Sequence, residues 1–120
     1  MKKLYDRGIP MQMGAHGNMM GLGAHWEMEL FTHGTFSNYD AIEIATINGF
    51  KHHGLDHILG SIEPGKLADM VIMTQNPLED IRNTRSSEYV VKNGVIYSGE
   101  DASRVYPNPK SAPRLYFKEK

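Results

Sequence analysis

Apolar positions recur with a helical period in two stretches of the first half of the chain and gather into short continuous runs in the second half. Trp26, Leu30 and Phe31 fall at helix spacing between Ala24 and His33, with Gly34 as a stop, so a helix is predicted over 24–33. A wider stripe of Ala41, Ile44, Ala45, Ile47 and Phe50 follows Ser37, a good N-cap with Asp40 three residues on. Gly54 closes that stripe, and a helix is predicted over 38–53. Residues 1–9 read as the last turns of a helix stopping near Gly8, with Pro10 beyond it. Met11 to Met13 predicts a short strand, and the stretch from Gly14 to Gly23 has no period and reads as loop.

Turn chemistry organises the second half. Glu63-Pro64-Gly65-Lys66 is a turn in which Pro presets the first central residue and Gly accepts a positive φ at the second. The apolar run Met70 to Met73 then predicts a strand, and Asn76-Pro77-Leu78-Glu79 supplies a cap and a Pro at the first position of one short helical turn. Glu88 to Tyr97 predicts a hairpin around Asn93-Gly94, the pair that best fits the two positive φ angles of a type I′ turn. A small sheet is therefore expected from 69–74 and 87–98. Pro107, Pro109 and Pro113 make the tail extended, with Leu115, Tyr116 and Phe117 placed to dock on the body. No repeat appears at a solenoid or propeller period.

Composition narrows the function classes. At 120 residues the chain suits one domain and is too short for a complete eight-stranded β/α barrel, which needs about 250. With 40% hydrophobic and 22% charged residues it has a globular, soluble composition. A formal charge of −1 gives no electrostatic reason to expect nucleic acid or an anionic membrane as partner. The absence of Cys removes disulfides, thiolate catalysis and Cys-type zinc sites, and leaves the compartment open. Asp6, Gly8 and Pro10 interrupt any signal-peptide core, and no run approaches the roughly 18 apolar residues of a membrane span, so a cytoplasmic location is the default.

One series of segments carries more information than any single motif. Ala45-Thr46-Ile47-Asn48-Gly49, Gly54-Leu55-Asp56, the run Leu59-Gly60-Ser61-Ile62-Glu63-Pro64-Gly65-Lys66-Leu67-Ala68-Asp69, and Asn76-Pro77-Leu78 resemble, in order and spacing, the C-terminal signature of the amidohydrolase superfamily. Gly14-Ala15-His16-Gly17 with Gly21-Leu22-Gly23-Ala24-His25-Trp26-Glu27 further resembles the members linked to an N-terminal β-propeller. The resemblance implies an α+β fold: the last strand and helices of an amidohydrolase barrel over 1–60, a β unit of the composite metal-hydrolase domain over 61–105, and a Pro-rich tail over 106–120. It also implies a divalent metal, zinc, in full-length relatives, held by a first-strand His-x-His pair and further ligands that have no counterpart here. At the expected eighth-strand Asp this sequence has His16 in Gly-Ala-His, where much of the superfamily reads Gly-Thr-Asp.

His16 is thus the candidate catalytic residue and, with His25 and Glu29, a candidate metal ligand. His25 and Glu29 stand four apart on a predicted helix and share one face, a spacing that suits two ligands of a divalent cation; an ordinary polar helix face is the competing reading, since no third or fourth ligand lies near in sequence. His52 and His53 close the second helix, where a positive charge complements the dipole, and Asp69 suits a structural hydrogen bond. No cofactor is expected in the isolated chain.

Two functions follow. The first is a fragment of a metal-dependent hydrolase acting on carbon-nitrogen bonds, inactive alone. The second is a free-standing interaction or assembly module that has lost catalysis. In both, missing architecture leaves apolar faces and strand edges uncovered, and the expected partner is a second copy, as a homodimer, or a complementary N-terminal fragment.

Overall fold

Ser37 opens the best-specified helix as its sequence requires. In the computed structural model, which describes residues 1–16 and 19–112, the Ser37 hydroxyl accepts from the Asp40 N–H at 3.0 Å, and the Asp40 carboxylate accepts from the Ser37 N–H at 2.9 Å. The helical elements are α1 (Lys2–Tyr5), α2 (Gly23–His33), α3 (Asn38–Ala45) and α4 (Ile47–His52). α4 ends in a Schellman arrangement, with Gly54 N–H donating to Lys51 O and Leu55 N–H to Phe50 O.

The helix predicted over 38–53 is therefore two helices. Thr46 breaks it, with φ −127° and ψ −100°. Its Oγ1 donates back to Ile42 O at 2.7 Å, and Ile44 O accepts from the Met13 N–H at 3.3 Å, so two carbonyls of the last turn are diverted. That second bond also explains why Met11 to Met13 forms no strand: the segment crosses the end of α3 rather than lying beside another extended chain. α2 departs from expectation in its buried face. Met28 and Phe31 are buried, whereas Trp26 and Leu30, two of the apolar positions that set the helical period, are 39% and 66% exposed.

The core collects Met28, Phe31, Phe36, Ala41, Ile44 and Ile81, with Tyr5, Met11 and Met13 packed against it. Phe36 receives the rings of Tyr5 and Phe31 edge-on, each with centroids 5.4 Å away. Ile81 reaches this cluster from the short 3-10 helix Ile81–Arg85, which Asp80 caps by accepting from the Arg82 N–H at 3.0 Å.

The sheet has four antiparallel strands in sequence order, β1 (Met70–Met73), β2 (Ser87–Lys92), β3 (Val95–Ser98) and β4 (Arg104–Tyr106), and the described residues contain no closed barrel. The Asn93-Gly94 hairpin forms as predicted, with φ of 48° and 78° at the two turn residues. β4 was not anticipated. It is recruited by pairing Tyr106 with Ile96 and Arg104 with Tyr97. Gly99 sits just after β3 so close to β2 that a Cβ there would lie 2.2 Å from Ser87 O. Docking of Leu115, Tyr116 and Phe117 lies outside the described residues. No helix among the described residues is long and apolar enough to cross a membrane.

Candidate functional site

His25 and Glu29 do share one face of α2, and that face meets the 3-10 helix. His25 Nδ1 lies 2.9 Å from the Oγ1 of Thr84, a residue 2% exposed, and Glu29 pairs with the Arg85 guanidinium. Burial pushes the His25 pKa below its ordinary value, the Arg85 charge adds to that, and Glu29 opposes it. Burial thus favours the neutral imidazole, whose Nδ1 is engaged with Thr84.

His16 lies elsewhere along the chain, on exposed coil. The segment leading to it is fastened at two points. Met13 N–H donates to Ile44 O, and Gly14 N–H donates to Glu27 Oε1 at 2.9 Å. Glu27, whose role the sequence left unassigned, thus positions the backbone two residues before His16. Its place in the Gly21–Glu27 stretch of the family resemblance hinted at importance; its partner was not legible from spacing.

Glu29 also lines an open cleft of about 450 Å³ with His33, Asn38, Asp80 and Arg82. Two of its acids are countered locally: Glu29 by Arg85, and Asp80 by Arg82, which contacts the carboxylate at 2.6 Å and holds its pKa down to about 2. A larger open cleft of about 770 Å³ lies between α3, α4 and the 56–66 turn, with Lys51, Asp56, Glu63 and Lys66 on its walls. None of His16, His25 and Glu29 lines that one. Asp69 serves the hairpin, accepting from the Asn93 N–H at 2.6 Å and pairing with Lys92, whose ammonium holds the carboxyl below its usual range.

Among the described residues no group of three or more His, Asp or Glu side chains comes together to hold a metal ion. His25 and Glu29 make at most two donors, each already partnered, where a zinc site takes three or four. Among the described residues the donor set does not fit a metal centre by itself.

Comparison with known proteins gives the geometry a family. Residues 1–97 match the model of the amidohydrolase family. The chain belongs to that family. An adenine deaminase of Desulforamulus reducens is 48% identical over 56 residues, covering 47% of this chain and 8% of that protein. The guanine deaminase of Escherichia coli is 39% identical over 72 residues, covering 58% and 16%. Among solved structures, a Xaa-Pro dipeptidase with bound methionine superposes with a TM-score of 0.72 at 31% identity over 81% of this chain and 24% of its own. Phenylurea hydrolase B superposes with a TM-score of 0.62 at 37% identity over 63% and 17%. This amidohydrolase chain spans a quarter or less of each of these four relatives.

Proposed function

We propose that this amidohydrolase chain is one portion of a hydrolase that cleaves carbon-nitrogen bonds, and that it turns over no substrate alone. The relatives' names describe deamination, dipeptide cleavage and phenylurea hydrolysis, reactions that share a broken carbon-nitrogen bond. The match of residues 1–97 to the family, over so small a share of each relative, is the observation that carries the reading. In this view residues 1–60 are the end of the barrel, 61–105 a β unit and 106–120 a tail.

Zinc in such enzymes supplies an activated water, and the ligands missing here come from the rest of the polypeptide. This chain contributes structure and, at His16, one imidazole where the superfamily pattern has a carboxylate. An imidazole accepts a proton or ligates a metal as a neutral group, so a site built with His16 carries one negative charge fewer. Glu27 serves as the positioning residue through its bond to Gly14.

The test is metal analysis of the purified chain with assays on adenine, guanine and a Xaa-Pro dipeptide, with and without added zinc. Expected are substoichiometric zinc and no turnover; activity that appears on adding a barrel polypeptide with the His-x-His pair, and falls in His16→Ala, supports the reading. Stoichiometric zinc with hydrolysis by the chain alone would overturn it.

A further inference from the structure

α2 is gripped on two opposite faces. On one, His25 Nδ1 lies 2.9 Å from Thr84 Oγ1 and Glu29 pairs with the Arg85 guanidinium, so consecutive residues of the 3-10 helix meet residues four apart on α2. Glu27 stands two residues from each, and two residues turn a helix by about 200°, so its carboxylate leaves the other side of α2. There it accepts from the Gly14 N–H at 2.9 Å, two residues before His16. The 3-10 helix connects β1 to β2, so one short helix joins the sheet to the His16 segment.

Apolar and polar contacts divide the work on α2. Met28 and Phe31 share a buried cluster with Phe36, Ala41, Ile44 and Ile81, which holds the helix onto the core, yet apolar burial has no preferred direction. The polar contacts supply one. Thr84 is 2% exposed, and a hydroxyl so buried has to keep a hydrogen-bond partner, which His25 provides. The Arg85–Glu29 pair fixes a second point on the same face, one turn along. Together they set the rotation of α2 about its axis. At the roughly 5–6 Å radius of a helix with its side chains, a rotation of about 10° shifts a carboxylate by about 1 Å, enough to break the bond to Gly14.

We propose that Thr84 and Arg85 are positioning residues for His16, acting through α2. By fixing the rotation of that helix they place the Glu27 carboxylate where it holds the Gly14 N–H, and with it the backbone that presents the His16 imidazole. His25 and Glu29, which as a metal pair lack further donors among the described residues, serve as the α2 half of this seam. The inference rests on the reading of His16 as a site residue and adds to it the residues that set its place.

Amide exchange followed by NMR on the full chain tests it, with the Gly14 N–H, held by Glu27, read against the Ala41 N–H, held by Ser37 O inside α3. Glu27→Ala removes the acceptor and should quicken Gly14 exchange by roughly tenfold. Thr84→Val, nearly isosteric, and Arg85→Met should each quicken it by roughly threefold with Ala41 unchanged, and neither should add to the effect of Glu27→Ala. If Thr84→Val does not fold, Arg85→Met decides, since the Arg85 side chain is 40% exposed. Gly14 exchange unaltered in the folded variants, a rise matched at Ala41, or effects that add to that of Glu27→Ala would overturn the inference. The measurement uses neither metal nor substrate, so its outcome is separate from that of the zinc and turnover assays.

Discussion

Around α2 and α3 the chain buries Met28, Phe31, Phe36, Ala41 and Ile44 in one cluster that Ile81 completes, whereas among the described residues the four strands bury only Val91. Both regions have regular backbone hydrogen bonding, so the difference lies in side chains. The helices close a core among themselves. The sheet satisfies its internal ladder and leaves Val71, Ile72, Val90 and Val105 only half-buried. Backbone pairing therefore shapes the sheet, and apolar burial anchors the chain elsewhere.

Paired substitutions put this contrast at risk. Phe36→Ala should cost roughly 3–5 kcal/mol, since the ring is 4% exposed and packed by Tyr5 and Phe31. Ile72→Ala should cost less, about 1 kcal/mol, because a large part of its side chain remains in water. Urea unfolding of both variants at low concentration measures the difference; equal losses would mean the sheet is as tightly packed as the helices.

A smaller effect sharpens the helical side. Ser37→Ala removes one half of the capping box and should cost about 1 kcal/mol, with faster amide exchange in the first turn of α3. An unchanged exchange rate there would show that tertiary burial, and not the cap, holds that helix end.

The smallest effect belongs to the seam. His25 packs α2 against the 3-10 helix, and its pKa is lowered in the folded state by burial and by Arg85, against Glu29. Below about pH 6.5 the unfolded chain takes up the proton more readily, so stability present above that pH declines as pH falls toward the folded pKa. Thermal unfolding across pH 7.5 to 5 should show this slope, and His25→Gln should flatten it. A slope unaltered in the variant would assign the pH dependence to another group.

Much of the secondary structure was legible because its causes are local. The Ser37 box, the Gly54 stop and the Asn93-Gly94 turn each act within a few residues, and the i,i+4 spacing was enough to place His25 and Glu29 on one face. What those two residues do was not legible. Thr84 lies 59 positions from His25, and Arg85 lies 56 from Glu29. No local pattern announces such a partner.

By itself, the sequence determined where α3 starts, where α4 stops, where the hairpin turns and which family signature the chain bears, since caps, turn residues and motif spacing are written within short windows. Tertiary structure decided the rest: the break at Thr46, where Ile44 O serves Met13 instead of continuing the helix; the coil at 11–13, which crosses a helix end; the exposure of Trp26 and Leu30; and the pairing of β4. Each turns on which distant group reaches a backbone atom or a side chain first, and that competition is settled only when the whole chain has packed.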